Sequence, residues 1–276
     1  MSAALPSVRA WLGPVPVDAV DLAQALGRIE AMIGGGTGGT VFTPNVDHLL
    51  LAHNDAAFRE AYASADLSLV DGTWVLWLCR LLGLPVRQKV SGSDLVRPLM
   101  SFAGARELRV YLLGAAPEVA RRAAAVLAAE IPGVRIVGTS SPWIDMSQPP
   151  SFRDSVRAEV RAARADLVLV ALGAPKAEKF SHECRDALRP AVLVCIGAGL
   201  DFVAGTVRRA PRWVSACGLE WLFRLAQEPR RLSRRYLVRG PRALPLFVRL
   251  LGGRSRARLA RAERTAPAGE GASRSA

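Results

Sequence analysis

Several common kinds of site are missing from this sequence. Cys79, Cys184, Cys195 and Cys217 show no Cys-x-x-Cys spacing, so neither a zinc knuckle nor a disulfide framework is encoded, and they read as reduced, mostly buried thiols. The three histidines, His48, His53 and His182, form no metal-ligand pattern, and no metal site is expected. The glycines that close strands before likely helices, Gly173 and Gly197, follow neither G-x-G-x-x-G nor the P-loop pattern, which argues against a usual dinucleotide or Walker-type phosphate site there. No Asp-x-Asp pair is present, so no motif requires a divalent cation, and no cofactor is expected. The longest apolar stretch, residues 191–207, is interrupted by Asp201 and three glycines, too broken for a membrane-spanning helix. The N-terminus has no basic region leading into an apolar one, so no secretory leader is expected. Aromatic residues make up 6% of the chain, which leaves the core to aliphatic side chains.

Positive charge is abundant, and it is unevenly placed. Of the formal net charge of +13, all lies between Arg208 and Arg264, where 16 arginines face Glu220, Glu228 and Glu263. The remainder is neutral. A basic block on a neutral body reads as a surface for phosphate groups, whether of nucleic acid, anionic lipid or a diphosphate substrate.

The body reads as α/β. Apolar runs at 40–42, 67–70, 108–113, 134–137, 167–172 and 191–196 have strand length. Helical periodicity fills the intervals at 18–33, 47–65, 73–82, 93–103, 117–131, 151–164 and 176–188, with Ser93 or Asp94 as the expected cap of the fourth. This alternation predicts a mainly parallel sheet with helices on both faces, Rossmann-like, over residues 1–206. Residues 207–251 read as a basic helical appendage with breaks at Pro211, Pro229, Pro241 and Pro245. Residues 252–276 lack any periodic apolar face and read as a disordered tail.

In a parallel sheet the carboxyl ends of the strands share one edge, where α/β proteins build their sites. The polar residues at those ends are Thr43, Asn45, Asp71, Asp94, Lys176 and Asp201. Asp71 draws most notice, because it follows an apolar run and precedes Gly72 and a helical pattern. On local pattern alone an aspartate there is more often a helix N-cap than an acid or base. Gly173 and Gly197 close strands where free N–H groups could hold a diphosphate. Within the basic block, arginines alternate with Trp213, Trp221, Phe223 and Tyr236, a mixture suited to an anionic head group joined to an apolar chain.

Several separated motifs together resemble the WecG/TagA/CpsF family of bacterial glycosyltransferases, over about Val15 to Leu250. They are Thr43-Pro44-Asn45, Ala65-Asp66 through Asp71-Gly72, Gly92-Ser93-Asp94-Leu95 and Gly173-Ala174-Pro175-Lys176 with Glu178. The C-terminal part continues with Asp201-Phe202, Gly205, Arg209-Ala210-Pro211, Leu219-Glu220-Trp221, Arg224, Glu228-Pro229 and Arg235-Tyr236. The chain departs from the pattern at Ala177 (usually Gln), Lys89 (Arg), Leu200 (Phe) and Phe223 (Tyr). Restoring the amide by Ala177→Gln is expected to tighten UDP binding.

The resemblance implies an inverting transfer of N-acetylmannosamine, its uronic acid or a glucose-type sugar. The donor would be a UDP-sugar and the acceptor a polyprenyl-diphosphate-linked sugar, at the cytoplasmic face of the plasma membrane, in cell-surface polysaccharide synthesis. It implies Asp71 as general base, with Thr43 and Asn45 beside the sugars. Gly92, Asp94, Gly114, Gly173, Pro175, Lys176, Glu178 and Asp201 are the donor-side candidates. Arg209, Arg212, Arg224, Arg230, Arg231 and Arg235 are the candidates for the acceptor diphosphate or the anionic membrane surface. A homo-oligomer is compatible with the sequence, and a nucleic-acid partner is not expected. Two other classes stay open: a basic nucleic-acid-binding α/β protein explains the charge but not the carboxylates at strand ends, and a nucleotide-dependent oxidoreductase explains the alternation but lacks the dinucleotide fingerprint at those strand ends.

Overall fold

The structure, a computed structural model, describes residues 8–252 and 260–261; the side chains of Arg212, Arg231, Arg234 and Arg235 fall outside that description. A hairpin of β1 (Val8–Leu12) and β2 (Val15–Asp18) leads into α1 (Leu22–Gly34). The alternating body follows: β3 (Gly39–Phe42), α2 (Val46–Asn54), α3 (Ala56–Ala63), β4 (Leu67–Ser68), α4 (Thr73–Leu81) and α5 (Gly92–Ala105). Then come β5 (Arg109–Gly114), α6 (Pro117–Glu130), β6 (Arg135–Ser140), α7 (Pro150–Ala162), β7 (Leu167–Ala171), α8 (Lys176–Cys184), β8 (Val192–Cys195) and α9 (Gly199–Ala204). The six strands β3 to β8 form one parallel sheet in the order β4-β3-β8-β7-β5-β6.

Alternation explains why these runs are strands. In β7, Leu167 and Leu169 enter one apolar cluster, and Val168 and Val170 enter the other. β5 and β8 divide in the same way, with Tyr111, Leu113, Leu193 and Cys195 on one face and Val110, Leu112, Val192 and Val194 on the other. The first face is covered by α2, α3, α4, α7 and α8, the second by α1, α5, α6 and α9. Each fully buried Leu or Val contributes about 1.5–3 kcal/mol over exposure, so the central strands β7 and β8 anchor the body.

Some boundaries differ from the sequence expectation, each for a local reason. α1 starts at Leu22 because Asp21 caps it, accepting from Gln24 N. Asp18 instead ends β2, buried, where it accepts from Arg9 and from Ser68 N at 2.8 Å and pins the hairpin to β4. The expected helix at 47–65 is two helices, since Asp55 caps a second one by accepting from Phe58 N. Ser91, rather than Ser93 or Asp94, caps α5.

The C-terminal region is helical, as expected: α10 (Arg212–Ala216), α11 (Glu220–Gln227), α12 (Pro229–Ser233), a π-helical turn (Arg234–Arg239), a 3-10 turn (Gly240–Arg242) and α13 (Ala243–Gly252). Pro245 does not break α13. It occupies the third position, where a missing N–H costs no intrahelical bond. β9 (Ala260–Arg261) pairs with Val8 and Arg9 of β1. Apart from Ala260 and Arg261, the tail expected beyond Gly252 lies outside the described residues. No helix among the described residues is long and apolar enough to cross a membrane.

Candidate active site at the carboxyl edge of the sheet

Asp71 is not a helix cap. Gly72 holds the N-cap position of α4, with φ 87°, and no side chain there accepts from the first turn. The carboxylate therefore has no part in starting the helix. The segment is fixed by main chain instead, with Asp71 N donating to Pro44 O at 3.0 Å and Val90 N to Val70 O at 2.8 Å. Burial and then the anionic Glu220 push the Asp71 carboxyl up to about 6, with Asp94 adding to the rise while Lys89 and Arg224 oppose it.

Asp94, nearby, is held in the opposite state. Burial alone would raise it, but the Ser91 hydroxyl at 2.6 Å, Lys89 and Arg209 outweigh burial and keep it below the usual carboxylate range. Arg209 Nη1 lies 2.8 Å from Asp94 Oδ1, and Lys89 Nζ sits 3.8 Å from both Asp94 and Glu220. Two carboxylates in one cluster with their proton affinities driven apart is a pattern found where one of them works as an acid or base.

Thr43 and Asn45 follow β3 at the same edge. Thr43 Oγ1 donates to Cys195 O at 3.2 Å, tying the end of β3 to the end of β8. Asn45 caps α2, its side-chain oxygen accepting from Asp47 N and His48 N. Gly92 lets α5 press against the end of β8, since a Cβ there would stand 2.7 Å from Ile196 Cα. These contacts bring residues far apart in sequence onto one floor.

The donor-side candidates divide. Gly114 closes β5 against Ala171, and Gly173 follows β7. Pro175 stands at the N-cap of α8 and Lys176 opens that helix, its Nζ 4.4 Å above the Trp143 ring. Asp201 lies in the first turn of α9. Glu178 is only 3% exposed, with Oε1 3.9 Å from His48 Nδ1. It belongs to a buried polar group behind the edge, in which His48 Nδ1 and Tyr62 Oη are 2.6 Å apart. Ala177 is also buried and packs in the aliphatic core. To regain a nucleotide contact, a glutamine there would have to place its amide in that core.

Of the appendage arginines, Arg209 and Arg224 converge on the site. Both guanidinium groups lie over the Phe202 ring, at 5.3 and 5.5 Å, and Arg224 also approaches Glu228. Arg230 is exposed on α12. Arg212, Arg231 and Arg235 fall on α10, α12 and the π-helical turn. The appendage reaches the body through Thr73 Oγ1, which donates to Ser215 O at 2.7 Å, and Trp74 Nε1, which donates to Gly218 O at 2.9 Å.

Three residues of this cluster carry no separate signal in the sequence. Glu220 lies inside the Leu219-Glu220-Trp221 motif, and Lys89 differs from the family pattern only by standing in place of Arg. His48 gave no signal, because its partners Tyr62 and Glu178 are 14 and 130 positions away.

Residues 10–257 match the glycosyl transferase WecG/TagA/CpsF family. An N-acetylglucosaminyldiphosphoundecaprenol N-acetyl-β-D-mannosaminyltransferase of Bacillus subtilis is 30% identical over 197 residues, covering 71% of this chain and 75% of the relative. A protein of the same description from Bacillus spizizenii is 31% identical over 197 residues, covering 71% and 74%.

Proposed function

The chain belongs to the WecG/TagA/CpsF family of glycosyl transferases, and from that premise we propose that it moves a sugar, with inversion, from a UDP-sugar to a polyprenyl-diphosphate-linked sugar. N-acetylmannosamine is the first donor sugar to consider and N-acetylglucosamine on a polyprenyl diphosphate the first acceptor, since the two similar Bacillus proteins are described by that pair. The product belongs to cell-surface polysaccharide synthesis.

In this reading Asp71 accepts the proton of the acceptor hydroxyl as its oxygen bonds to the anomeric carbon. The bond from that carbon to the diphosphate breaks at the same time, and UDP leaves with the electron pair. The observation that carries the assignment is that Asp71 stands at the carboxyl edge of the sheet, fixed by main chain and clear of the helix it precedes; its raised carboxyl, at about 6, is ionised at neutral pH and still basic enough to take the proton. Arg209, Arg224 and Lys89 neutralise diphosphate charge, a task for which fixed cations in a partly dry site are well suited. Thr43 and Asn45, held by β8 and by the start of α2, flank the reacting sugars.

The remaining arginines and the exposed Trp213, Leu222, Leu237, Leu244 and Val248 seat the protein on the anionic inner face of the plasma membrane. There each basic residue near the surface contributes about 1 kcal/mol. The test is purified full-length protein with radiolabelled UDP-N-acetylmannosamine, its uronate and UDP-glucose. Each is offered with N-acetylglucosaminyl diphosphate on a short polyprenyl chain. Label in the lipid product is expected for at least one donor; none for any of the three would end this reading.

A further inference from the structure

We propose that Glu220 is a positioning residue that links docking of the C-terminal appendage to Asp71, so that Asp71 accepts a proton well only while the appendage is seated. The proposal rests on the reading of Asp71 as general base and adds a regulator to it.

The connection is short and polar. Asp71 stands two residues before Thr73, whose hydroxyl donates to Ser215 O at 2.7 Å. The Ser215 hydroxyl in turn donates to Glu220 Oε2 at 3.2 Å. Beside this, Trp74 Nε1 holds Gly218 O at 2.9 Å, and the Trp77 ring packs against Gly218. The first turn of α4 thus grips the segment just before Glu220 at two points, and the side chain is directed by one of them. From the body side, Lys89 Nζ reaches Glu220 at 3.8 Å while sharing itself equally with Asp94.

The groups facing Asp71 are Glu220 and Arg224 from α11, Lys89 from the segment before α5, Asp94 from α5 and, from behind, Tyr62 of α3. Among the charged ones Glu220 acts most strongly, after burial itself. A fixed anion discourages ionisation of a neighbouring carboxyl and so raises its proton affinity. Glu220 also lies in the first turn of α11, where any carboxylate favours the helix dipole. That plainer role would alter stability alone and leave the titration of Asp71 where it is.

The experiment uses full-length protein carrying ¹³C-labelled aspartate, with the Asp71 carboxyl signal assigned by its loss in Asp71→Asn. Its titration is followed in the native protein, Glu220→Gln, Glu220→Asp and Trp74→Phe. In the native protein the midpoint is expected near 6. Glu220→Gln should move it down toward the ordinary aspartate value of about 3.9, and Glu220→Asp, which keeps the charge, should restore most of the difference. Trp74→Phe removes an anchor and should also move it down.

The acid limb of transfer from UDP-N-acetylmannosamine should follow the titration in each variant. An unmoved midpoint in Glu220→Gln overturns the proposal, as does a fall in Glu220→Asp as large as in Glu220→Gln. Asp71→Asn separates the two readings. If it still transfers sugar, the base assignment fails. If it is inactive while Glu220→Gln leaves the midpoint unmoved, only the link to Glu220 fails.

Discussion

The α/β body and the C-terminal appendage are held together by different physics. In the body every residue of β7 and β8 is buried, and the strands divide their side chains between two aliphatic cores. In the appendage α11 buries no residue at all, and Trp213 is 68% and Leu222 49% exposed. Its attachment combines Val214, Leu232, Ala243 and Leu246 buried, Phe247, Leu250 and Leu251 packed against the body, Arg209 and Arg224 over Phe202, the Thr73 and Trp74 hydrogen bonds, and ion pairs to Asp94, Lys89 and Asp47. The body holds the two aliphatic cores and the strand-end residues of the candidate site. The appendage brings Arg209, Glu220 and Arg224 to it.

Removing Val207 to Ala276 tests that contrast most severely. The remaining body should show cooperative unfolding and an α/β circular dichroism spectrum, with no sugar transfer and no sedimentation with anionic phospholipid vesicles. A truncated protein that still sediments across a salt series as the full chain does would place the membrane contact in the body.

Next in size is Asp71→Asn, which should lower turnover by about 10²–10⁴-fold while UDP binding measured by calorimetry stays near native. Turnover within a few-fold of native would return Asp71 to a purely structural role. A paired comparison comes third. Leu193→Ala, in the fully buried β8, should cost about 2–5 kcal/mol in denaturant unfolding. Leu222→Ala on α11 should change stability by less than about 0.5 kcal/mol yet weaken vesicle binding. Equal destabilisation by the two would erase the proposed division.

The smallest effect is that of pH. Because the Asp71 carboxyl is raised, to about 6, its basic form is lost as pH falls through that value. Transfer should drop about tenfold between pH 7 and 5. An acid limb near pH 4 would mean that the base is an ordinary carboxylate.

Much of the body was legible because β-alternation and helix periodicity are local properties. The runs at 167–172 and 191–196 became β7 and β8 with boundaries moved by a residue or two. The site was legible only as a set of strand ends. That Asp71 stands clear of the helix it precedes depends on Gly72 taking the N-cap, and a local pattern cannot choose between neighbours for that role. Ser91 took the cap expected of Ser93 or Asp94 for the same reason, which freed Asp94 to meet Arg209. The convergence of Glu220 and Lys89, 131 positions apart, follows from how the appendage docks, and no periodicity records it. The resemblance supplied Glu178 as a donor-side candidate, whereas its buried place beside His48 is a product of packing between α2 and α8.

The tie between Thr43 and the Cys195 carbonyl, with Gly92 pressed against the same strand end, has a consequence for time as well as shape. Beside that tie, the main-chain amides paired between β3 and β8 can exchange their protons only when the body itself opens, at close to the full free energy of unfolding. The amides around Ser215 and Gly218, attached through side chains, can exchange by a smaller and more frequent opening. Sugar transfer would then take place between a floor that stays closed for the lifetime of the fold and a roof that opens many times within it.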